Sequence, residues 1–325
     1  MTVLVVGGAG YVGSHAVRAL VAAGARVVVL DDLSTGHRKL VPAGVELCVG
    51  RVEDRAALTE LLVRERVESV LHFAACSLVG ESSQDPRKYF ERNCGGVLAL
   101  AGAMIDTGVR NIVLSSSAAV YGEPARPVLD ETHPRQPTNV YGMTKAFAED
   151  VLLSYRAHGV RSVALRYFNA AGADPSGEIG EHHEHETHLI PTVFDAALGL
   201  RDAVTVFGTD YPTPDGSCLR DYVHVSDLAD AHVRALGYLT GGGESTVFDL
   251  GSTTGTSVRE VIAAVEAVTG RPVPVREGAR RVGDPARLVT SSQRAEQVLG
   301  WRAQRPEIRT IVEDGWRWHR RLRAA

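Results

Sequence analysis

At 325 residues the chain can bury a full core, and 44% hydrophobic against 23% charged residues is the balance of a globular protein with one large domain and a smaller one. A net charge of −4 gives no basic excess to neutralise nucleic-acid phosphates, and no apolar run reaches the roughly 20 residues of a membrane span. Cys48, Cys76, Cys94 and Cys218 lie far apart without Cys-x-x-Cys spacing, and Thr2–Val6 lacks the basic leader of a secretory signal, so reduced thiols in a cytoplasmic protein are expected.

In chain order, β-branched runs at Val3–Val6, Val27–Leu30, Ser69–Ala74, Asn111–Ser115 and Val163–Tyr167 alternate with amphipathic stretches, among them His15–Ala23, ended by Gly24, and Arg55–Glu65. That alternation predicts an α/β fold: a Rossmann-type doubly wound parallel sheet with helices on both faces. Ligands of such sheets bind beyond the carboxyl ends of the strands. After Ala173 the texture changes, with Gly, Pro, His and Asp dense through Asp215, short apolar strands at Val204–Phe207 and Val247–Leu250, and helices at Val258–Val268 and Glu307–Arg323. The expected division is therefore a Rossmann domain over 1–173 and a smaller mixed α/β domain over 174–325, with some segments of the latter returning to the Rossmann sheet.

Gly7-Gly8-Ala9-Gly10-Tyr11-Val12-Gly13 follows the first run and opens the first helix. It fits G-x-x-G-x-x-G from Gly7 and G-x-G-x-x-G from Gly8, a pattern whose glycines let backbone approach a pyrophosphate at a helix N-terminus. Alone, such a loop is also an ordinary tight turn. Asp31, about 20 residues on, ends the second run, where a carboxylate accepts hydrogen bonds from ribose hydroxyls and repels a 2′-phosphate. The set points to NAD rather than NADP.

Tyr141 and Lys145 are the only Tyr-x-x-x-Lys pair, one helical turn apart on one face. An ammonium beside a phenol favours the phenolate, and so makes a proton acceptor near neutral pH. Of 35 basic residues only Lys39, Lys88 and Lys145 are lysine, which places lysine where a guanidinium would not serve. Ser115-Ser116-Ser117 closes the Asn111–Ser115 run and offers a hydroxyl over the ligand-binding edge, although serines there also commonly fill turns.

Further stretches, in order, are Gly7-Gly-Ala-Gly-Tyr-Val-Gly-Ser-His15, Asp31-Asp-Leu-Ser-Thr-Gly36, His72-Phe-Ala-Ala75, Leu78-Val-Gly-Glu-Ser82, Arg166-Tyr-Phe-Asn169, Glu186-Thr-His-Leu-Ile-Pro191, Asp210-Tyr-Pro-Thr-Pro-Asp-Gly216, Arg220-Asp-Tyr-Val-His-Val225 and Gly283-Asp-Pro-Ala-Arg-Leu288. Across nearly its whole length the chain thereby resembles the UDP-glucose 4-epimerase family of the extended short-chain dehydrogenase/reductases. The resemblance implies NAD-dependent epimerisation at C4 of a UDP-hexose through a transient 4-keto sugar and NADH, with Ser117, Tyr141 and Lys145 catalytic. It implies cofactor contacts from Gly7, Gly10, Tyr11, Val12, Asp31, Asp32, Leu33, Ser34, Thr35, Gly36, Val52, Phe73, Ala74, Ala75, Asn93, Ser115, Tyr141, Lys145 and Tyr167. The UDP-sugar, held mainly by the second domain, would meet Ser117, Tyr141, Asn169, His188, Leu189, Thr205, Phe207, Arg220, Arg281 and Asp284. A homodimer is implied too, paired through helices near Pro86–Met104 and Lys145–Ala157.

Some features depart from the family pattern or tempt another reading. Glu181-His-His-Glu-His-Glu-Thr-His188 carries the donors of a transition-metal site, but hydride transfer needs no metal. No metal is expected, and the resemblance makes this a substrate loop with His188 near the uracil. Glu123 and Glu131 suggest a dehydratase acid, yet Ala118-Ala119 stands where related dehydratases carry Asp-Glu. Gly50-Arg51-Val52-Glu53, after a third strand, replaces a Gly-Asp that contacts adenine in the family. Arg92-Asn93-Cys94-Gly-Gly-Val97 replaces Asn-Asn-Val-x-Gly-Thr, and Leu288 stands at the sugar end. Rival readings are a UDP-N-acetylglucosamine 4-epimerase, a UDP-sugar reductase, or a non-catalytic NAD-sensing regulator.

Overall fold

Strands β1 (Thr2–Val6), β2 (Arg26–Asp31), β3 (Glu46–Val49), β4 (Ser69–His72), β5 (Asn111–Ser115) and β6 (Arg161–Tyr167) come from the first half of the chain. The second half adds β7 (Asn169–Ala171), β8 (Val204–Phe207), β9 (Leu219–Arg220), β10 (Tyr222–His224), β11 (Thr246–Leu250), β12 (Thr256–Ser257), β13 (Val275–Gly278) and β14 (Arg287–Leu288). This computed structural model describes residues 1–184, 186–281 and 284–324. His185 of the histidine-rich stretch and Gly283 of the 283–288 motif lie outside the described residues.

Seven strands form one all-parallel sheet in the order β11-β6-β5-β4-β1-β2-β3. Because successive side chains alternate in direction, β1 sends Leu4 and Val6 into one core and Val3 and Val5 into another. Helices α1 (Tyr11–Ala22), α2 (Arg55–Arg64), α3 (Val79–Gln84), α4 (Pro86–Tyr89), α5 (Gly95–Thr107), α6 (Val140–Ser154), α7 (Leu189–Ala197), α8 (Val225–Thr240), α9 (Val258–Thr269), α10 (Gln293–Leu299) and α11 (Ile308–Ala324) supply the rest. On one face Leu58, Leu61, Val97, Leu100, Met104 and Leu152, from α2, α5 and α6, cover Leu4, Val28, Val70 and Ile112. On the other Val17, Leu20, Leu228 and Leu236, from α1 and α8, pack with Val3, Val5 and Val113. A third core, with Val193, Phe194, Val206, Tyr222, Val261, Val265 and Ile311, belongs to the smaller unit.

Val247–Leu250, which the local pattern assigns to the smaller domain, is instead the far strand of the central sheet. It pairs with β6 from Thr246↔Val163 to Leu250↔Tyr167, 83 residues back along the chain at each pair (246 − 163 and 250 − 167), so nothing near it in sequence reveals its partner. The first helix begins at Tyr11, not His15, because Gly10 already caps it. The strand predicted over Ser69–Ala74 stops at His72, where Phe73 and Ala74 both donate backbone N–H to Val6 and turn the chain across the top of β1. Strand order reverses between β1 and β4, so the crevice at their carboxyl ends lies between the Gly7–Gly10 loop and the loop starting at Phe73.

Candidate active site

The glycine loop meets the crevice at close quarters. Gly7 adopts φ +82°, and a Cβ on it would lie 2.5 Å from the Ala74 nitrogen; one on Gly13 would lie 2.1 Å from the Gly7 oxygen. Gly10 caps α1 without a side-chain hydrogen bond, which leaves the first-turn N–H groups, those of Tyr11 and Val12 included, for an external anion. Asp31 is buried, its two oxygens accepting from the Ala9 and Leu33 amides, each at 2.9 Å. Burial pushes its carboxyl up, and those two amides pull it back. Gly36 must lack a side chain, since a Cβ would sit 2.7 Å from Asp31 Oδ1. These features fit a dinucleotide: a bare helix terminus for its pyrophosphate and an acid for its ribose.

At the mouth beyond Asp31 the two departures meet. Arg92 reaches Asp32 at 3.0 Å and Glu53 at 3.4 Å, and Arg51 reaches Glu53 at 3.0 Å. Asp32 also accepts from the Ser34 amide and hydroxyl; burial alone would raise its carboxyl, but those bonds and Arg92 hold it below the usual range. Ser34 and Thr35 are exposed beside it. Val52 turns into the core against Gly96. Asn93, expected at the cofactor, bonds the Cys76 backbone in both directions (2.8 and 3.0 Å) and donates to Thr144 at 3.0 Å, so its amide ties the loop after β4 to α6. Phe73 packs on the His232 ring at 4.5 Å, with Ala74 and Ala75 following it along the crevice.

Helix α6 delivers the reactive pair. Asn139 caps it by accepting from the Gly142 amide, and Gly142 lets it press on the 118–121 turn, where a Cβ would lie 2.5 Å from the Ala119 oxygen. That contact sets Tyr141 close enough to Ser117, whose hydroxyl accepts the Ala119 amide at 3.1 Å, for the serine to favour the phenolate. Lys145 is buried, donates to the Ser115 carbonyl at 2.8 Å, and holds its ammonium 5.8 Å from the centre of the Tyr141 ring. Burial pulls Lys145 down to about 8, against the opposing charges of Glu149 and Cys76. Burial pushes the Tyr141 phenol above its ordinary value, partly countered by Ser117. The lowering expected from Lys145 is therefore not achieved by protein side chains alone. Ser115 Oγ and Tyr167 Oη share a 2.6 Å hydrogen bond below the pair.

A buried polar network under this group escaped the sequence reading. Arg166 grips Glu149 with two bonds and donates to Tyr121 Oη at 2.9 Å; Tyr121 in turn donates to Asp249 at 2.7 Å, and Ser116 donates to Glu149 at 2.5 Å. Glu149 continues the spacing of Tyr141 and Lys145 by one more turn, which is the signal that could have found it. Glu131, considered as a dehydratase acid, accepts the Asp249 amide at 2.8 Å.

Toward the second unit, Thr205 and Phe207 share the half-exposed face of β8 while Val204 and Val206 are buried. The Arg281 guanidinium lies 4.0 Å over the Phe207 ring. Arg220 donates to the Leu219 and Pro285 carbonyls and pairs with Asp284. Leu288 pairs in register with Arg220, and Asn169 with Tyr222. His188 caps α7 and precedes Leu189. Its Nδ1 faces Glu181 at 2.7 Å and Glu186 at 3.2 Å, and His183 Nδ1 faces the same two carboxylates at 3.4 and 3.3 Å. Burial disfavours both imidazolium ions, but hydrogen bonds to Glu181 and Glu186 outweigh it and lift His183 to about 9 and His188 to about 10.

The model of the NAD dependent epimerase/dehydratase family matches residues 3–251. A UDP-glucose 4-epimerase of Lacticaseibacillus casei is 48% identical over 320 residues, covering 98% of this chain and 97% of the relative. One from Rhizobium meliloti (strain 1021) is 50% identical over 320 residues with the same coverage. Among solved structures, that of UDP-glucose 4-epimerase from Brucella ovis in complex with NAD superposes with a TM-score of 0.95 at 45% identity, covering 97% of each chain.

Proposed function

The chain belongs to the NAD dependent epimerase/dehydratase family, and from that membership we propose how its residues share the work of inverting C4 of a UDP-hexose. The reaction interconverts UDP-glucose and UDP-galactose through a transient 4-keto sugar. One observation carries this reading: Ser117, Tyr141 and Lys145 gather beside a dinucleotide cradle, in a chain about half identical from end to end to 4-epimerases.

When bound, NAD would supply a hydride acceptor for C4 and a donor for the return step, and its positive charge would add to that of Lys145 in favouring the Tyr141 phenolate. Tyr141 Oη takes the proton of the sugar 4-hydroxyl and gives it back from the same position. Ser117 Oγ orients that hydroxyl. Lys145, fixed by the Ser115 carbonyl, holds positive charge near the phenol. Gly7, Gly10, Tyr11 and Val12 would hold its pyrophosphate and Asp31 and its turn the ribose, with the Arg51–Glu53–Arg92–Asp32 cluster placed to meet the adenine.

For the keto sugar to present its other face, the grip must fall on the nucleotide. Arg220 and Arg281 are suited to the diphosphate, since guanidinium forks bind such oxygens in pairs. Asn169, His188, Leu189, Thr205, Phe207 and Asp284 complete the UDP site, mainly from the 174–325 half, while 1–173 holds the cofactor. The enzyme works as a homodimer in the cytoplasm. Exposed Phe90, Leu98, Met143, Phe147 and Leu153 on and beside α5 and α6 support the dimer, and four free cysteines support a reducing compartment.

Incubation with UDP-galactose, without added NADH, tests the reading. UDP-glucose should accumulate to an equilibrium mixture, because the cofactor is regenerated in each turnover. A product that forms only when NADH is supplied would indicate a reductase. Conversion of the N-acetylated sugars alone would shift the substrate.

A further inference from the structure

Two carboxylates in the loop before α7 are buried with no lysine or arginine paired to them among the described residues. The side chains of Glu181 and Glu186 are 8% and 9% exposed, and among the described residues their only cationic partners are His183 and His188. Burying two negative charges is costly unless two positive charges neutralise them. Either two imidazolium ions or one dication meets that need.

Geometry separates the alternatives. One ligand atom from each of Glu181, His183, Glu186 and His188 lies within 4.8 Å of all the others. His183 and His188 Nδ1 lie 3.4 and 2.7 Å from Glu181 Oε1, and 3.3 and 3.2 Å from the two different oxygens of Glu186, Oε2 and Oε1. Metal bonds of 2.0–2.2 Å in a tetrahedron place neighbouring ligands about 3.3–3.6 Å apart. Moreover, each Nδ1 faces oxygens of both carboxylates. A single N–H points at one acceptor, whereas a cation amid the four donors satisfies all of them. The backbone is already fixed at both ends: Trp318 of α11 donates to the Glu181 carbonyl at 2.7 Å, and Glu186 accepts the Thr187 and His188 amides at 2.9 and 2.8 Å.

We propose that Glu181, His183, Glu186 and His188 form a structural site for a divalent transition metal, with Zn²⁺ the best match to a closed tetrahedral set of two imidazoles and two carboxylates. The ion ties the loop to the start of α7 and so fixes the segment carrying His188 and Leu189. It takes no part in proton or hydride transfer, which explains how the donors occur in an enzyme whose chemistry needs no metal. His188 keeps Nε2 free to face a ligand.

The test uses tag-free holoenzyme, dialysed against Zn²⁺ and then against metal-free buffer, with zinc counted by mass spectrometry. One zinc per chain is expected, and Co²⁺ in its place should give the intense visible bands of a tetrahedral centre. Added Zn²⁺ should raise the unfolding midpoint of the wild type but not of His183→Ala/His188→Ala. The double variant should lose more affinity than the about 10–100-fold that follows loss of an outer partner of a metal ligand. Substoichiometric zinc together with octahedral, weak Co²⁺ spectra in the wild type would overturn the proposal, and so would unchanged zinc content in the variant. The wild-type Co²⁺ spectrum decides even if the variant fails to fold, and bound NAD should be unaffected throughout.

Discussion

Glu149 and Arg166 meet as a two-pronged ion pair, Nε to Oε1 at 2.9 Å and Nη2 to Oε2 at 2.5 Å, with both side chains 5% exposed. It joins α6, which carries Tyr141 and Lys145, to the sheet strand β6. Removing one partner strands a buried charge, so Glu149→Ala should cost about 3–5 kcal/mol, read as a lowered denaturant midpoint. The double change Glu149→Leu/Arg166→Met should cost less than the single one, because the buried guanidinium goes with its partner, although Lys145 and Arg135 still lose the opposing charge of Glu149. Equal losses for the single and double variants would argue that packing, not charge, dominates here.

Tyr141→Phe keeps the ring and removes the proton acceptor. Turnover should fall by about 10²–10⁴-fold, while UDP titrates the variant as it does the wild type. Retained turnover would remove Tyr141 from the role of base.

Lys145 gives a stability signature as well as a kinetic one. Its folded pKa, near 8, lies below the ordinary 10.5. Between those values the unfolded chain holds the proton that the folded chain has released, so stability rises with pH across that window. Below about pH 8 the cost of burying the ammonium is fully present. Relative to Lys145→Met, the wild type should gain on the order of 3 kcal/mol from pH 8 to 10.5. In the same variant turnover should drop and the rising limb of its pH profile should move to higher pH. A wild-type and variant difference that is flat with pH would contradict the buried-ammonium account.

Arg220 sits in a tight backbone setting, with the Leu219 and Pro285 carbonyls and Asp284 around it. Arg220→Lys keeps the charge and loses the fork, so UDP affinity should weaken by about 10-fold or more, with the fold intact by circular dichroism. Equal affinity would place the diphosphate elsewhere.

Phe147 is 39% exposed on α6 near Met143, itself 44% exposed. Phe147→Glu should convert a dimer into a monomer by light scattering at micromolar concentration. A wild type that already scatters as a monomer would remove the dimer.

Which features were legible from sequence follows from where their partners lie. The glycine loop and Asp31 are local: strand, turn and helix within one short stretch carry their meaning. Tyr141 and Lys145 are likewise one helical turn apart. Asp249, by contrast, acquires its role from Tyr121 and Thr290, 128 and 41 residues away, and its carboxyl is pushed up to about 7 by burial there. Arg51 and Arg92 look like unrelated departures until Glu53 joins them. Asn93 enters the cofactor set through its motif alone, and nothing near it in sequence shows that its side chain also joins the loop after β4 to α6. Likewise Glu181 to His188 could be weighed as donors in sequence, but only the fold shows which four converge.

The pairing of β11 with β6 bears on how the chain is made. A nascent chain lengthening on the ribosome cannot complete its cofactor sheet until residue 250 has emerged, although β6 ends at Tyr167. In the interval β6 presents an open row of N–H and C=O groups, an edge that another nascent chain can pair with. A product truncated near 173 is accordingly not a small dinucleotide-binding module but an unfinished sheet, and synthesis that stalls between these two strands is where aggregation of this protein should begin.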